Sequence, residues 1–234
     1  MNKQSNSYTI IYIIVLVAVV GAALAFTAMG LKDRQQQNAD ADRMRQILAA
    51  VHLTPAPSDV VADFNRYITG QAVVNSRGEQ TGDDAFAVSV AAQTKLPDDE
   101  RQLPVFICTL PDGSTKYILP LYGAGLWGPI WGYVALDSDA STIYGAYFAH
   151  QGETPGLGAE IEKPAFSGQF DGKTLWKDGR FMPVAVVKKG QPSPSGEDYV
   201  DGISGGTITS KGVSAMLSDC LAPYEPYLLT LRNK

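Results

Sequence analysis

The stretch "YVDGISGGTITSKG", residues 199–212, joins an extended segment to an apolar run of helical character through a loop crowded with glycine and hydroxyl residues. Strand, glycine loop, helix is the geometry that offers backbone N–H groups to an anion at a helix start. The loop matches neither the P-loop pattern nor the dinucleotide-binding glycine pattern. One reading is a tight turn with an N-cap from Thr209 or Ser210; the other is a loop that presents the hydroxyl of Thr207. A nucleophilic threonine needs a base to take its proton. The chain has two histidines: His52 lies in a stalk-like region, and His150 reads as a solvated histidine at a strand end. Nothing in the sequence places either beside Thr207, so no catalytic residue is assigned.

Around this loop the chain reads as a mixture of strands and helices. "QAVVN" (71–75), "PVFICTL" (104–110) and "KYILPLY" (116–122) are rich in β-branched and aromatic residues, with "PDGS" as a turn between the last two. "WGYVALD" and "TIYGAYFAH" (131–137, 142–150) read as a hairpin, and "PVAVVKK" (183–189) as a further strand. The C-terminal run is helical with a break near Pro223. Ser58 is placed to cap a helix from Asp59 to Thr69 that Gly70 ends. Hairpin strands with helices at both ends predict an α+β domain.

At the other end, Tyr8 to Leu31 carries no charged residue. A helix of that length spans about 36 Å, enough for a bilayer core of ~30 Å. "ALA" at 23–25 would suit a signal-peptide cleavage site, but the apolar run continues through Phe26, Ala28 and Met29, which favours an uncleaved anchor. Lys3 precedes the span; Lys32 and Arg34, offset by Asp33, follow it, so charge alone does not orient it. The expected division is 1–31 anchor, 32–57 stalk helix or linker with Met44, Ile47, Leu48 and Val51 at helical spacing, and 58–234 globular domain. The net charge of −5 leaves no basic face for nucleic acid. Cys108 and Cys220 lie far apart without a further thiol or histidine cluster, so no metal site is expected; buried free thiols and an extracytoplasmic disulfide both remain open.

Three stretches together resemble one family. "DGISGGT", 201–207, resembles the flavinylation motif Asp-x-x-Ser/Thr-Gly-Ala-Thr, in which a separate flavin transferase esterifies the last threonine to the phosphate of FMN; Gly206 stands where alanine is usual. "GAGLWGPIWGYVALD" (123–137) and "HQGETPGLGAEIE" (150–162) resemble signatures of the C subunit of the Na+-translocating NADH:quinone oxidoreductase. Its cousin, the G subunit of the Rnf electron-transport complex, shares the Glu-Thr-Pro-Gly-Leu-Gly element and the threonine.

The resemblance implies an N-terminal transmembrane helix followed by an FMN-binding domain of antiparallel strands with flanking helices. Thr207 would be the covalent attachment residue for FMN as a phosphoester, with Ser204, Gly205 and Gly206 forming its loop. Asp201 would serve recognition by the transferase or cap a turn. Pro155, Gly156 and Gly158 would let backbone approach a flat ring, Leu157 would cover its face, and Glu153 and Thr154 would meet its polar edge. Leu126 and Trp127 would pack at the site or in the core, and Lys211 would pair with phosphate or stay solvated.

The implied role is a one-electron carrier between an iron centre held by membrane subunits and the FMN of the B subunit, on the way to ubiquinone and coupled to sodium export. The implied place is a six-subunit complex, single-pass in the bacterial inner membrane, with the domain on the periplasmic side. Two alternatives stand beside it: the G subunit of an Rnf-type complex, and a membrane-anchored binding domain without flavin whose glycine loop is only a turn.

Overall fold

The computed structural model describes residues 6–233; Lys3, which entered the charge count, lies outside the described residues. Chain contacts divide it into one unit ending at Arg43 and a second beginning at Met44.

The described part of the first unit belongs to helix α1, Asn6–Ala49. Its large apolar side chains from Ile10 to Leu31 are exposed. Among the described residues it is the one helix long and apolar enough to cross a membrane, with a mean hydropathy of 2.8 over its most apolar window.

The second unit opens with the last residues of α1. Ile47, Leu48, Ala50 and Val51 are buried, and Trp131 Nε1 donates to Gln46 Oε1 at 2.9 Å. The helical spacing that reads as a stalk thus supplies core side chains here. Helix α2, Val60–Tyr67, is shorter than expected. Ser58 donates to Asp59 Oδ1 instead of capping the helix. Thr69 and Gly70 fall in strand β1, Ile68–Val74, where Gly70 pairs with Ile107 and the hydroxyls of Thr69 and Thr109 lie 2.9 Å apart. Ladder pairing wins over the glycine stop signal.

Strand β2 (Gln80–Gly82) and a one-turn helix α3 (Val90–Gln93) lead to β3 (Leu103–Thr109), β4 (Thr115–Ala124), β5 (Pro129–Leu136) and β6 (Ile143–His150). These form a six-stranded sheet of order β2-β1-β3-β4-β5-β6, antiparallel at every junction. Then come α4 (Pro164–Ser167), a small hairpin β7–β8 (Trp176–Lys177, Arg180–Phe181), β9 (Ala185–Val187), β10 (Tyr199–Asp201), α5 (Thr207–Leu221) and α6 (Glu225–Arg232). The hairpin turns on Asp178-Gly179, both with positive φ, the pairing that a two-residue turn requires.

Both faces of the main sheet are buried, as period-two alternation makes plain. Along β5, Ile130, Val134 and Leu136 join one core cluster with Val213, Met216 and Leu217 of α5; Tyr133 and Ala135 join the other with Ile47, Leu48 and Phe64. Pro120 sits in β4 beyond the point where β3 stops pairing, so its missing N–H costs no ladder bond. There α5 takes over: Tyr122 N–H donates to Cys220 Sγ at 3.4 Å. Phe148, Phe166 and Phe170 pack with ring centroids 5.0 to 5.6 Å apart. They clamp the segment that leaves β6 back onto the sheet, which fixes where residues 153–158 run.

Candidate functional site: an exposed threonine at a helix start

Strands β9 and β10 pair in parallel, with Val187 opposite Asp201. The loop after β10 is closed by three bonds: Gly202 N–H to the Val187 carbonyl (2.7 Å), Gly206 N–H to the Ile203 carbonyl (3.0 Å), and Ile203 N–H to the buried Ser210 hydroxyl (2.9 Å). Gly205 has φ +78°, and Leu157 occupies the space a side chain there would need. Thr207 is the first residue of α5 and is exposed. Helix N–H groups of this first turn lack intrahelical acceptors, so the threonine stands at the positive end of a four-turn helix.

A groove of about 410 Å³ opens beside it, lined by Thr207, Ser204, Gly205, Lys188, Lys189 and Lys211 among others. Three lysines thus line one groove in a chain of net charge −5. The motif leads one to expect Lys211 at the site. It gives no sign of Lys188 and Lys189, although "KKG" closes a predicted strand; only the parallel β9–β10 register brings that strand end to the loop. Asp201 caps a different turn. Its carboxylate accepts from Gly190 N–H at 3.0 Å, while Gln169 holds its backbone from both sides, at 2.9 and 3.3 Å.

The "ETPGLG" loop lies against this helix start, but its glutamate faces inward. Glu153 is 5% exposed. Its Oε2 accepts from the buried Thr209 hydroxyl at 2.5 Å and its Oε1 from Trp127 N–H at 2.8 Å. Burial pushes this carboxyl upward, yet the bonds from Thr209 and from the Trp127 and Leu126 N–H groups outweigh it and hold the group below its ordinary range. Gly158 is required by this packing: a Cβ would strike Glu153 Oε2 and lie 2.5 Å from Thr209 Oγ1. Both carboxylate oxygens are therefore engaged inside the protein, rather than facing a ligand edge. His150 is not solvated either. Its side chain is 15% exposed, and Nδ1 accepts Glu153 N–H at 3.1 Å.

One buried carboxylate thus ties the Leu126–Trp127 loop, the 153–158 loop and the first turn of α5 together. On these three segments Trp127, Ile208, Leu126 and Leu157 are exposed apolar side chains. Nothing in the sequence singles out Ile208, because it follows the motif. Thr154, Pro155 and Gly156 are exposed on the same loop. Exposed apolar surface beside a cationic groove suits a flat aromatic ligand with an anionic tail. Gly205 and Gly206 let the loop pack against Leu157 and Ile203 while Thr207 stays exposed, so the residues present fit an FMN phosphoester.

A larger groove, about 680 Å³, is lined by Arg101, Tyr122, Met216 and Asp219 and does not include Thr207. Arg101 is already engaged there with Asp98 and with the carbonyls of Thr94, Leu96 and Asp219. Cys108 and Cys220 are buried free thiols in different core clusters, on opposite faces of the sheet. Burial raises the Cys108 thiol to about 11 despite nearby Lys116.

The chain is similar to known proteins along most of its length. The FMN-binding domain family matches residues 125–222. The C subunit of the Na+-translocating NADH-quinone reductase of Vibrio anguillarum is 32% identical over 99% of this chain and 97% of its own length, and that of Yersinia pestis is 29% identical over 99% and 95%. The crystal structure of the same subunit from Parabacteroides distasonis superposes with a TM-score of 0.80 at 50% identity, covering 85% of this chain and 96% of that one. Shewanella oneidensis NqrC, 24% identical, shares the fold with a TM-score of 0.69.

Proposed function

The chain belongs to the family of the C subunit of the Na+-translocating NADH-quinone reductase, an oxidoreductase complex, and on that premise we propose that Thr207 carries FMN through a phosphoester bond and that the domain relays single electrons toward ubiquinone. The observation that carries the reading is the threonine itself: exposed, at a helix start, flanked by glycines and by three lysines. Bound FMN supplies one-electron exchange. The protein's own residues do the rest. Lys188, Lys189, Lys211 and the first turn of α5 take up the charge of the phosphodiester. Leu157, Leu126, Trp127 and Ile208 provide apolar cover for the ring and limit water at one face. Glu153 holds those covering loops without touching the ring.

A covalent tether also removes the need for a general base beside Thr207. Its hydroxyl is modified once by the flavin transferase and never turns over. Helix α1 anchors the chain in the inner membrane, with the domain on the periplasmic side, next to the iron-bearing membrane subunits and the FMN-bearing B subunit of a six-subunit complex. Sodium export is a property of that complex, since the Tyr8–Leu31 span carries no charged residue to serve an ion path.

The test is direct. The full chain produced beside an active flavin transferase should give a fluorescent band under ultraviolet light on a denaturing gel. Thr207→Ala should abolish it. A Thr207→Ala band as bright as wild type would move the attachment elsewhere.

A further inference from the structure

Resting on the reading that Thr207 bears a flavin phosphoester, we infer that Asp201 is a positioning residue: it acts through the Lys188–Gln191 turn, holding Lys188 and Lys189 against the phosphate. Asp201 stands six residues before the threonine and invites a direct role with that hydroxyl or with a recognising enzyme. Its geometry points elsewhere. Its Oδ1 accepts Gly190 N–H at 3.0 Å, and its backbone N–H and carbonyl are both bonded to the Gln169 amide. It does not line the groove at Thr207.

Gly190 sits at φ +77° in a turn closed by Gln191 N–H to the Lys188 carbonyl at 3.0 Å. That turn is exposed at all four residues, from Lys188 to Gln191, so its own packing does little to fix it. The Asp201 carboxylate supplies the missing anchor, a charge-assisted bond to a backbone N–H. Parallel pairing of Val187 with Asp201 sets the level, and Gly202 N–H to the Val187 carbonyl locks it. The two lysines then enter the same groove as Thr207 and Lys211. Like-charged lysines lining one groove repel one another, so their turn needs such a hold until the phosphate arrives.

The experiment measures how fast the full chain gains FMN mass beside an active flavin transferase, by intact mass spectrometry over time, with thermal melting as a folding control. Asp201→Ala should load slower by on the order of tenfold, the scale of one lost charge-assisted contact. Asp201→Asn, whose Oδ1 still accepts Gly190 N–H, should recover most of the rate. The surface pair Lys188→Gln/Lys189→Gln should load as slowly as Asp201→Ala, and combining all three changes should add little further loss. The inference is overturned if the lysine pair loads at the wild-type rate, or if Asp201→Asn is as poor as Asp201→Ala. Wild-type protein that gains no FMN, or Thr207→Ala that gains it, would instead overturn the attachment reading beneath.

Discussion

Glu153 Oε2 lies 2.5 Å from Thr209 Oγ1, and both side chains are buried. This bond ties the 153–158 loop to the first turn of α5, where the threonine stands. Removing the carboxylate leaves Trp127 and Leu126 N–H groups and the Thr209 hydroxyl without their acceptor. Of these the Thr209 bond is the fully buried one, and orphaning its hydroxyl costs about 1–3 kcal/mol. Glu153→Ala should therefore lower the melting temperature by roughly 2–12 °C, taking about 2–4 °C per kcal/mol for a chain of this size. Thr209→Val should do the same on a smaller scale. Differential scanning calorimetry reads both, and an unchanged melting point in Glu153→Ala would show that the clasp contributes nothing.

The same carboxylate gives the fold a pH dependence with a definite sign. Its folded pKa is held below the ordinary value, so its contribution is complete above the unfolded value of ~4.3 and fades as pH falls through the lower, folded value. Urea unfolding between pH 7 and pH 3 should show wild type losing stability on that acid limb. Glu153→Gln, which does not titrate, should lose less across the same range. Parallel curves for the two proteins would assign the acid sensitivity to other groups.

The aromatic clamp is a second structural dependence of the site. Phe166 is 1% exposed and packs edge-on to Phe148 and Phe170. Phe166→Ala should cost about 3–5 kcal/mol through lost burial and a residual cavity. Equilibrium denaturation measures the loss, and a change under about 1 kcal/mol would mean that the segment can collapse over the gap.

The two thiols give a simple chemical check. Cys108 and Cys220 are buried on opposite sides of the sheet, with raised thiol pKa values caused chiefly by burial. A thiol reagent should label neither in the native fold and both after unfolding without reductant. Two unreactive sulfurs in the unfolded, unreduced chain would instead mean a disulfide.

Much of the fold is readable from residues. Alternating β-branched and aromatic runs locate the sheet strands, the Pro223 break divides the last two helices, and the charge-free run marks the membrane helix. What escapes depends on contacts distant in sequence. Gly70 looks like a helix stop because nothing local reveals that Ile107 pairs with it. Ile47 and Leu48 show helical spacing, but only the sheet face they meet makes them core. At the site, the threonine, its glycines and Lys211 are legible because they share one short stretch. Lys188 and Lys189 are not, since a parallel register delivers them. The sequence neighbours of Glu153 suggest a ligand edge; its inward turn follows from donors on another loop and on the first turn of α5.

The most direct measurement is the mass of the proteolytic fragment containing Asp201–Lys211, taken from protein purified out of its native membrane. The account predicts that fragment to be heavier than its amino acids by FMN less one water, with tandem spectra placing the added group on Thr207. A fragment at its unmodified mass, from protein whose complex still oxidises NADH with quinone, would contradict it.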